Sequence, residues 1–102
     1  MNELQNKQAD ISKTCDFHSE LPALGLGICA EVGELVDYLT KMSNLEKPKV
    51  GDDLSDLRQA AKEECTDVLV YLLQIANKLD FNLEEAYLNK CKVLLERHQK
   101  TE

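Results

Sequence analysis

The chain has 102 residues, enough for one small domain, 1–102, with a thin core. Nineteen acidic residues against twelve basic ones give a formal net charge of −7, which argues against a nucleic-acid partner, since counterion release needs clustered Lys and Arg. A small anionic ligand would meet repulsion unless a bound cation stood between. The N-terminus lacks the basic start and apolar run of a signal peptide, and no stretch approaches the ~18 apolar residues of a membrane span. A cytoplasmic protein without a membrane partner is therefore expected. Cys15, Cys29, Cys65 and Cys91 lie singly, with no CxxC pair. They are expected to be buried free thiols; neither a disulfide framework nor a zinc site fits.

Residues 2–18 read as a first helix, with Leu4, Ile11, Cys15 and Ala9 towards one side, Phe17 near the end and His18 at the exit. Pro22 suits a first helical turn, and a second helix runs over about 22–41. Gly25, Gly27 and Gly33 each cost it up to ~1 kcal/mol relative to Ala. They mark either the close approach of a backbone or ligand, or tight helix packing. The pattern lapses over 43–53, the longest loop, where Asp52 or Asp53 can cap the next helix.

The third helix is expected to be the longest, about 54–79. Leu57, Ala61, Glu64, Val68, Tyr71, Leu72, Ile75 and Leu79 recur along it at three- and four-residue steps. A short turn, Asp80-Phe81-Asn82, comes after it. Asn82 with Glu85 has the form of a capping box, so a fourth helix starts at Leu83 and runs to about His98. It is expected to turn Leu83, Ala86, Tyr87, Cys91, Leu94 and Leu95 inward. With no strand pattern anywhere, the fold class is all-α: four helices in a bundle completed by oligomerisation. Apolar residues on more than one side of the last helix (Leu88, Val93 and Leu95 beside Leu83, Tyr87 and Leu94) call for an obligate oligomer.

Two acidic pairs stand out, Glu31/Glu34 and Glu64/Asp67. Three-residue spacing sets each pair on one helix face, a turn apart. A single such pair in a chain with nineteen acids reads most simply as a solvated face. Two pairs on consecutive helices, set in apolar sequence and at similar distances from the connecting loop, read as a convergent site. Like charges repel, so four converging carboxylates call for a cation. Hard oxygen ligands favour Mg²⁺ or Mn²⁺. Iron bundles of this kind use a glutamate with a histidine three residues later, which neither His18 nor His98 supplies.

Glu31-Val-Gly-Glu34-Leu and Glu64-Cys-Thr-Asp67-Val-Leu, continued by Val70-Tyr71-Leu72-Leu73, Leu83-Glu84-Glu85-Ala86 and Lys90 with Arg97, resemble the MazG-like all-α nucleoside triphosphate pyrophosphatases over about 17–98. The resemblance implies Mg²⁺-dependent hydrolysis of (deoxy)nucleoside triphosphates to monophosphate and pyrophosphate, as house-cleaning of modified or excess dNTPs, by dimers or tetramers. Glu31, Glu34, Glu64 and Asp67 would be the metal ligands and the catalytic set. Metal ions there would neutralise the triphosphate and acidify a water for in-line attack on the α-phosphorus. Two positions depart from the family pattern, Ala30 in place of an acid and Leu94 in place of an asparagine. They favour the alternative of a catalytically silent helical interaction module that keeps the fold.

Other candidates surround this set. Tyr71 lies one turn beyond Asp67 and would reach a phosphate; a packed tyrosine with its hydroxyl at the rim is the plain alternative. Lys90 and Arg97 share a face of the fourth helix and would clamp phosphates, or else are two solvated cations. The chain has no Trp, three Tyr and two Phe, so few rings can stack on a base. Phe17 and His18 are the candidates for base binding, with a core role the alternative for Phe17.

Overall fold

The computed structural model describes residues 1–17, 19–44 and 54–101. It is all-α, with four helices in order: α1 Glu3–Thr14, α2 Leu21–Ser43, α3 Leu54–Lys78 and α4 Leu83–Thr101. Asn2 caps α1 by accepting from the Gln5 amide at 2.9 Å, and Pro22 sits in the first turn of α2. Helices α1 and α3 end alike. An aspartate in the left-handed region (Asp16 φ 60°, Asp80 φ 57°) comes after the last turn, and the next amide reaches back to a carbonyl five residues earlier. These bonds are Phe17 N–H to Ser12 O at 2.8 Å and Phe81 N–H to Ala76 O at 3.1 Å. This is the Schellman arrangement, with Asp where glycine is usual. The first helix therefore stops at Thr14, short of the expected 18. Helix α2 runs on to Ser43 and is capped by Asn44, where the expected loop over 43–53 begins. The remainder of that loop, and Asp52 and Asp53 as caps, lie outside the described residues.

The helices form two compact units that share α3. One comprises Met1–His18 with Leu73–Glu102, the other Ser19–Leu72. In the first, α1 docks through polar groups. Gln5 is fully buried and Gln8 nearly so, whereas Leu4 and Ile11 are exposed. The Gln5 side chain donates to Phe81 O at 2.7 Å and to Asn77 Oδ1 at 3.2 Å. It accepts from Leu83 N–H at 2.7 Å and from Asn2 Nδ2 at 2.6 Å. Asn77 Nδ2 in turn donates to Gln5 O at 2.9 Å. One glutamine thus satisfies the end of α3 and the start of α4, where helix termini leave backbone groups without intrahelical partners. Asn82 Oδ1 supplies a second cap for α4, accepting from Glu85 N–H at 3.1 Å, as the capping-box pattern predicts. The apolar docking face expected for α1 is corrected accordingly.

Buried hydrophobic side chains among the described residues are Leu24, Leu57, Ala61, Leu73 and Ala76. On α3 the buried stripe passes through Leu57, Ala61, Leu73 and Ala76, while Leu72 and Leu79, expected inside, are exposed. On α4 the inward set is also corrected. Leu83 and Cys91 are half-buried, but Tyr87, Leu94 and Leu95 are more than half exposed. Length explains much of this, since 12-residue α1 spans about 18 Å and 19-residue α4 about 28 Å at 1.5 Å per residue. The cysteines are free as expected but not buried: Cys15, Cys29 and Cys65 are exposed and Cys91 is half-buried. Cys29 and Cys65 lie on open faces of α2 and α3, and Cys15 follows the last turn of α1. No helix among the described residues is long and apolar enough to cross a membrane.

Candidate functional site

The second unit pairs α2 with the first part of α3. Gly27 meets Tyr71, and further along α2 Glu31 and Glu34 meet Glu64, earlier on α3. The order reverses, so the two helices run antiparallel. Glu31, Glu34 and Glu64 each present a carboxylate oxygen within 4.8 Å of the other two. Glu31 and Glu64 are half-buried and Glu34 is exposed. Three of the four carboxylates expected to converge do so. Asp67, a turn beyond Glu64, is exposed and stands outside that group. Its backbone position is the one a count from the Gly27–Tyr71 contact sets opposite Glu31.

Crowding of like groups has an electrostatic consequence at Glu64. Its carboxyl is pushed up from 4.5 to about 8. A hydrogen bond shared with Glu31 is the main cause, followed by desolvation, a hydrogen bond with Glu34 and the nearby charges of both. At neutral pH the cluster therefore keeps a proton where an isolated glutamate would have none. Glu64 Oε2 is also buried with no hydrogen-bond partner. A buried carboxylate oxygen left unsatisfied is costly. A proton shared among crowded carboxylates and a buried carboxylate oxygen without a partner are both relieved by positive charge bound at the group. The donors fit a divalent cation such as Mg²⁺, which takes one or a few carboxylates and keeps several waters.

Tyr71 is half-buried and its ring presses on α2. A Cβ built on Gly27 would lie 2.6 Å from Cε1 and Cζ of that ring and 2.8 Å from its hydroxyl oxygen. Of the three glycines expected to mark a close approach, Gly27 alone meets one; at Gly25 and Gly33 nothing lies within 4 Å of the added atom. The partner of Gly27 was not readable from sequence, because an isolated glycine announces an approach without naming what approaches. Tyr71 itself carries both its expected packing character and a hydroxyl at the helix interface.

The remaining candidates among the described residues lie in the first unit. Phe17 is 45% exposed and, with Ala9, Ser12, Gln74, Asn77 and Lys78, lines a cavity of about 210 Å³. His18 lies outside the described residues. Lys90 and Arg97 are exposed on α4, as are the two departures from the family pattern, Ala30 on α2 and Leu94 on α4.

Residues 20–101 match the family model described as the MazG nucleotide pyrophosphohydrolase domain. The match takes in α2, α3 and α4, with all four motif carboxylates, and begins after α1. No curated protein matches the chain.

Proposed function

Because the chain belongs to the MazG nucleotide pyrophosphohydrolase family, we propose that it hydrolyses (deoxy)nucleoside triphosphates to monophosphate and pyrophosphate with Mg²⁺, or Mn²⁺ in its place. The role we assign is removal of modified or excess dNTPs. The observation that carries this reading is the meeting of Glu31, Glu34 and Glu64 within 4.8 Å, in a chain whose helices match the family. Bare carboxylates would repel a triphosphate, so the group serves this substrate only through a cation. A divalent ion bound there would neutralise phosphate charge and acidify a water for attack on the α-phosphorus.

The chain's own residues do the rest. Glu31, Glu34 and Glu64 would hold the cation, which would favour the deprotonated form of Glu64. Asp67, exposed one turn beyond Glu64, would be the fourth ligand. The Tyr71 hydroxyl, which lies beside Gly27, donates to a phosphate oxygen, and Lys90 and Arg97 are the clamping cations. Phe17 and His18 form the base site.

We further assign the whole chain, 1–102, to one working domain, since the family match runs through both compact units. It works as a homodimer or homotetramer. On α2, Leu26 is 73% exposed and Val36 and Leu39 at least half exposed; on α4 the same holds for Tyr87, Leu88, Leu94 and Leu95. Apolar exposure on this scale marks an association surface. Four free cysteines, three of them exposed, suit a reducing compartment, which we take to be the cytoplasm.

A panel of standard and modified NTPs and dNTPs, incubated with Mg²⁺ and assayed for pyrophosphate, tests the reading. Release from at least one nucleotide, abolished in Glu31→Gln, is expected. No release from any of them would move the reading to a catalytically silent interaction module.

A further inference from the structure

We infer that Gly27 is a positioning residue that sets the separation of α2 and α3 at which Glu31 and Glu34 meet Glu64. The inference rests on reading that carboxylate group as a cation site. Three atoms of the Tyr71 side chain lie within 3 Å of where a Cβ on Gly27 would stand. The ring therefore lies against the bare backbone of α2, and glycine is the residue that lets it do so. Restoring ordinary contact to an alanine would require about 1 Å of movement, because carbon atoms pack at ~3.5–4.0 Å.

That movement has two outlets. The ring can swing away about χ1, but a helical aromatic has few χ1 wells and Tyr71 would have to leave a half-buried seat. Otherwise the helices part. Glu31 is one turn from Gly27 on the same face of α2, and Glu64 is two turns from Tyr71 on nearly the same face of α3, about 10 Å along the axis. A 1 Å spread so close to the carboxylates is large beside the 2.0–2.1 Å bonds and near-ideal octahedron that Mg²⁺ demands. The same contact fixes the register, since equal counts along both helices from Gly27 and Tyr71 bring Glu34 opposite Glu64.

The test uses Mn²⁺ alone, with affinity read by electron paramagnetic resonance on the full chain. Gly27→Ala should weaken Mn²⁺ binding at least tenfold while far-UV circular dichroism stays helical. Gly25→Ala, with nothing within 4 Å of its new methyl group, should bind as wild type does. Gly27→Ala combined with Tyr71→Leu, which removes the ring, should recover most of the loss and also covers the case where the single variant folds poorly. Unchanged Mn²⁺ affinity in Gly27→Ala, or no recovery in the double variant, would overturn the inference. If wild type itself fails to bind Mn²⁺, the cation reading falls. Crystal structures of metal-free wild type and Gly27→Ala then decide the positioning role alone. Carboxylate oxygens that stay together within 4.8 Å in the variant refute it, and separated ones support it.

Discussion

Replacing Gln5 by leucine should cost this protein more than any apolar substitution on α1. The glutamine is fully buried, and its amide serves two backbone groups at once, accepting from Leu83 N–H at 2.7 Å and donating to Phe81 O at 2.7 Å. Leucine fills a similar volume but leaves that first amide of α4 and that carbonyl without these bonds, and it removes one partner of Asn77. An unsatisfied buried polar group costs about 1–3 kcal/mol. Because the two backbone groups are only partly buried, the lower end applies to each, giving about 2–3 kcal/mol for the pair. For a domain of this size, 1 kcal/mol lowers the melting temperature by roughly 4–8 °C, so a drop of about 10 °C or more is expected. Thermal unfolding by circular dichroism measures it, and hydrogen exchange should show Leu83 N–H losing protection about 30- to 140-fold, at roughly tenfold per 1.4 kcal/mol. Gln8→Leu is the control. Gln8 is nearly as buried, but its side chain donates within α1, to Ser12 Oγ at 3.1 Å, and the loss should stay below about 1 kcal/mol. A Gln5→Leu variant melting within about 2 °C of wild type would refute the claim that α1 is held by this polar junction.

Other outcomes concern the carboxylate group, the helix ends and the exposed apolar faces. Without metal, stability should fall as pH rises from about 4.5 through about 8, because the folded state holds a proton on Glu64 that the unfolded state has released. Glu64→Gln should flatten that dependence in a pH series of melting curves; an unchanged slope would remove Glu64 as its source. Mg²⁺ or Mn²⁺ at about 100 times its dissociation constant should stabilise wild type by roughly 2.7 kcal/mol, and this gain should be lost in Glu34→Gln and Glu64→Gln. Asp80→Gly should raise stability by roughly 0.5–1 kcal/mol in urea titrations, because glycine adopts Asp80's left-handed φ of 57° without a Cβ penalty. Leu26→Glu or Leu95→Glu should shift the sedimenting species towards monomer, and a stable, folded wild-type monomer at micromolar concentration would contradict the proposed assembly.

Much of the architecture was open to reading from residue spacing alone. Three- and four-residue periodicity located α3 to within a residue at its end, Pro22 marked the start of α2, and Asn82 with Glu85 marked the start of α4. The acidic pairs were equally legible, because three-residue spacing on consecutive helices constrains which carboxylates share a face. Glu31, Glu34 and Glu64 meet as that spacing suggests. Asp67 shows where the argument weakens: spacing fixes the face but not the rotation of each helix about its own axis. The docking of α1 was illegible for a different reason. Hydropathy seeks apolar stripes, and this helix binds to partly buried backbone groups at Phe81 and Leu83 that the helix ends leave without intrahelical partners, for which a glutamine is the better ligand. Exposure of Leu94, Leu95 and the cysteines was misjudged because periodicity tells which residues are alike in orientation, not whether another element lies opposite.

Hydrolysis in ¹⁸O-labelled water tests the central claim most directly. If carboxylates on α2 and α3 hold the cation that activates water against the α-phosphorus, the label must appear in the nucleoside monophosphate and be absent from pyrophosphate. Glu31→Gln should lower kcat far more than it raises KM, since a metal ligand acts chiefly in the transition state. Label in the pyrophosphate, or orthophosphate as the first product, would contradict the account.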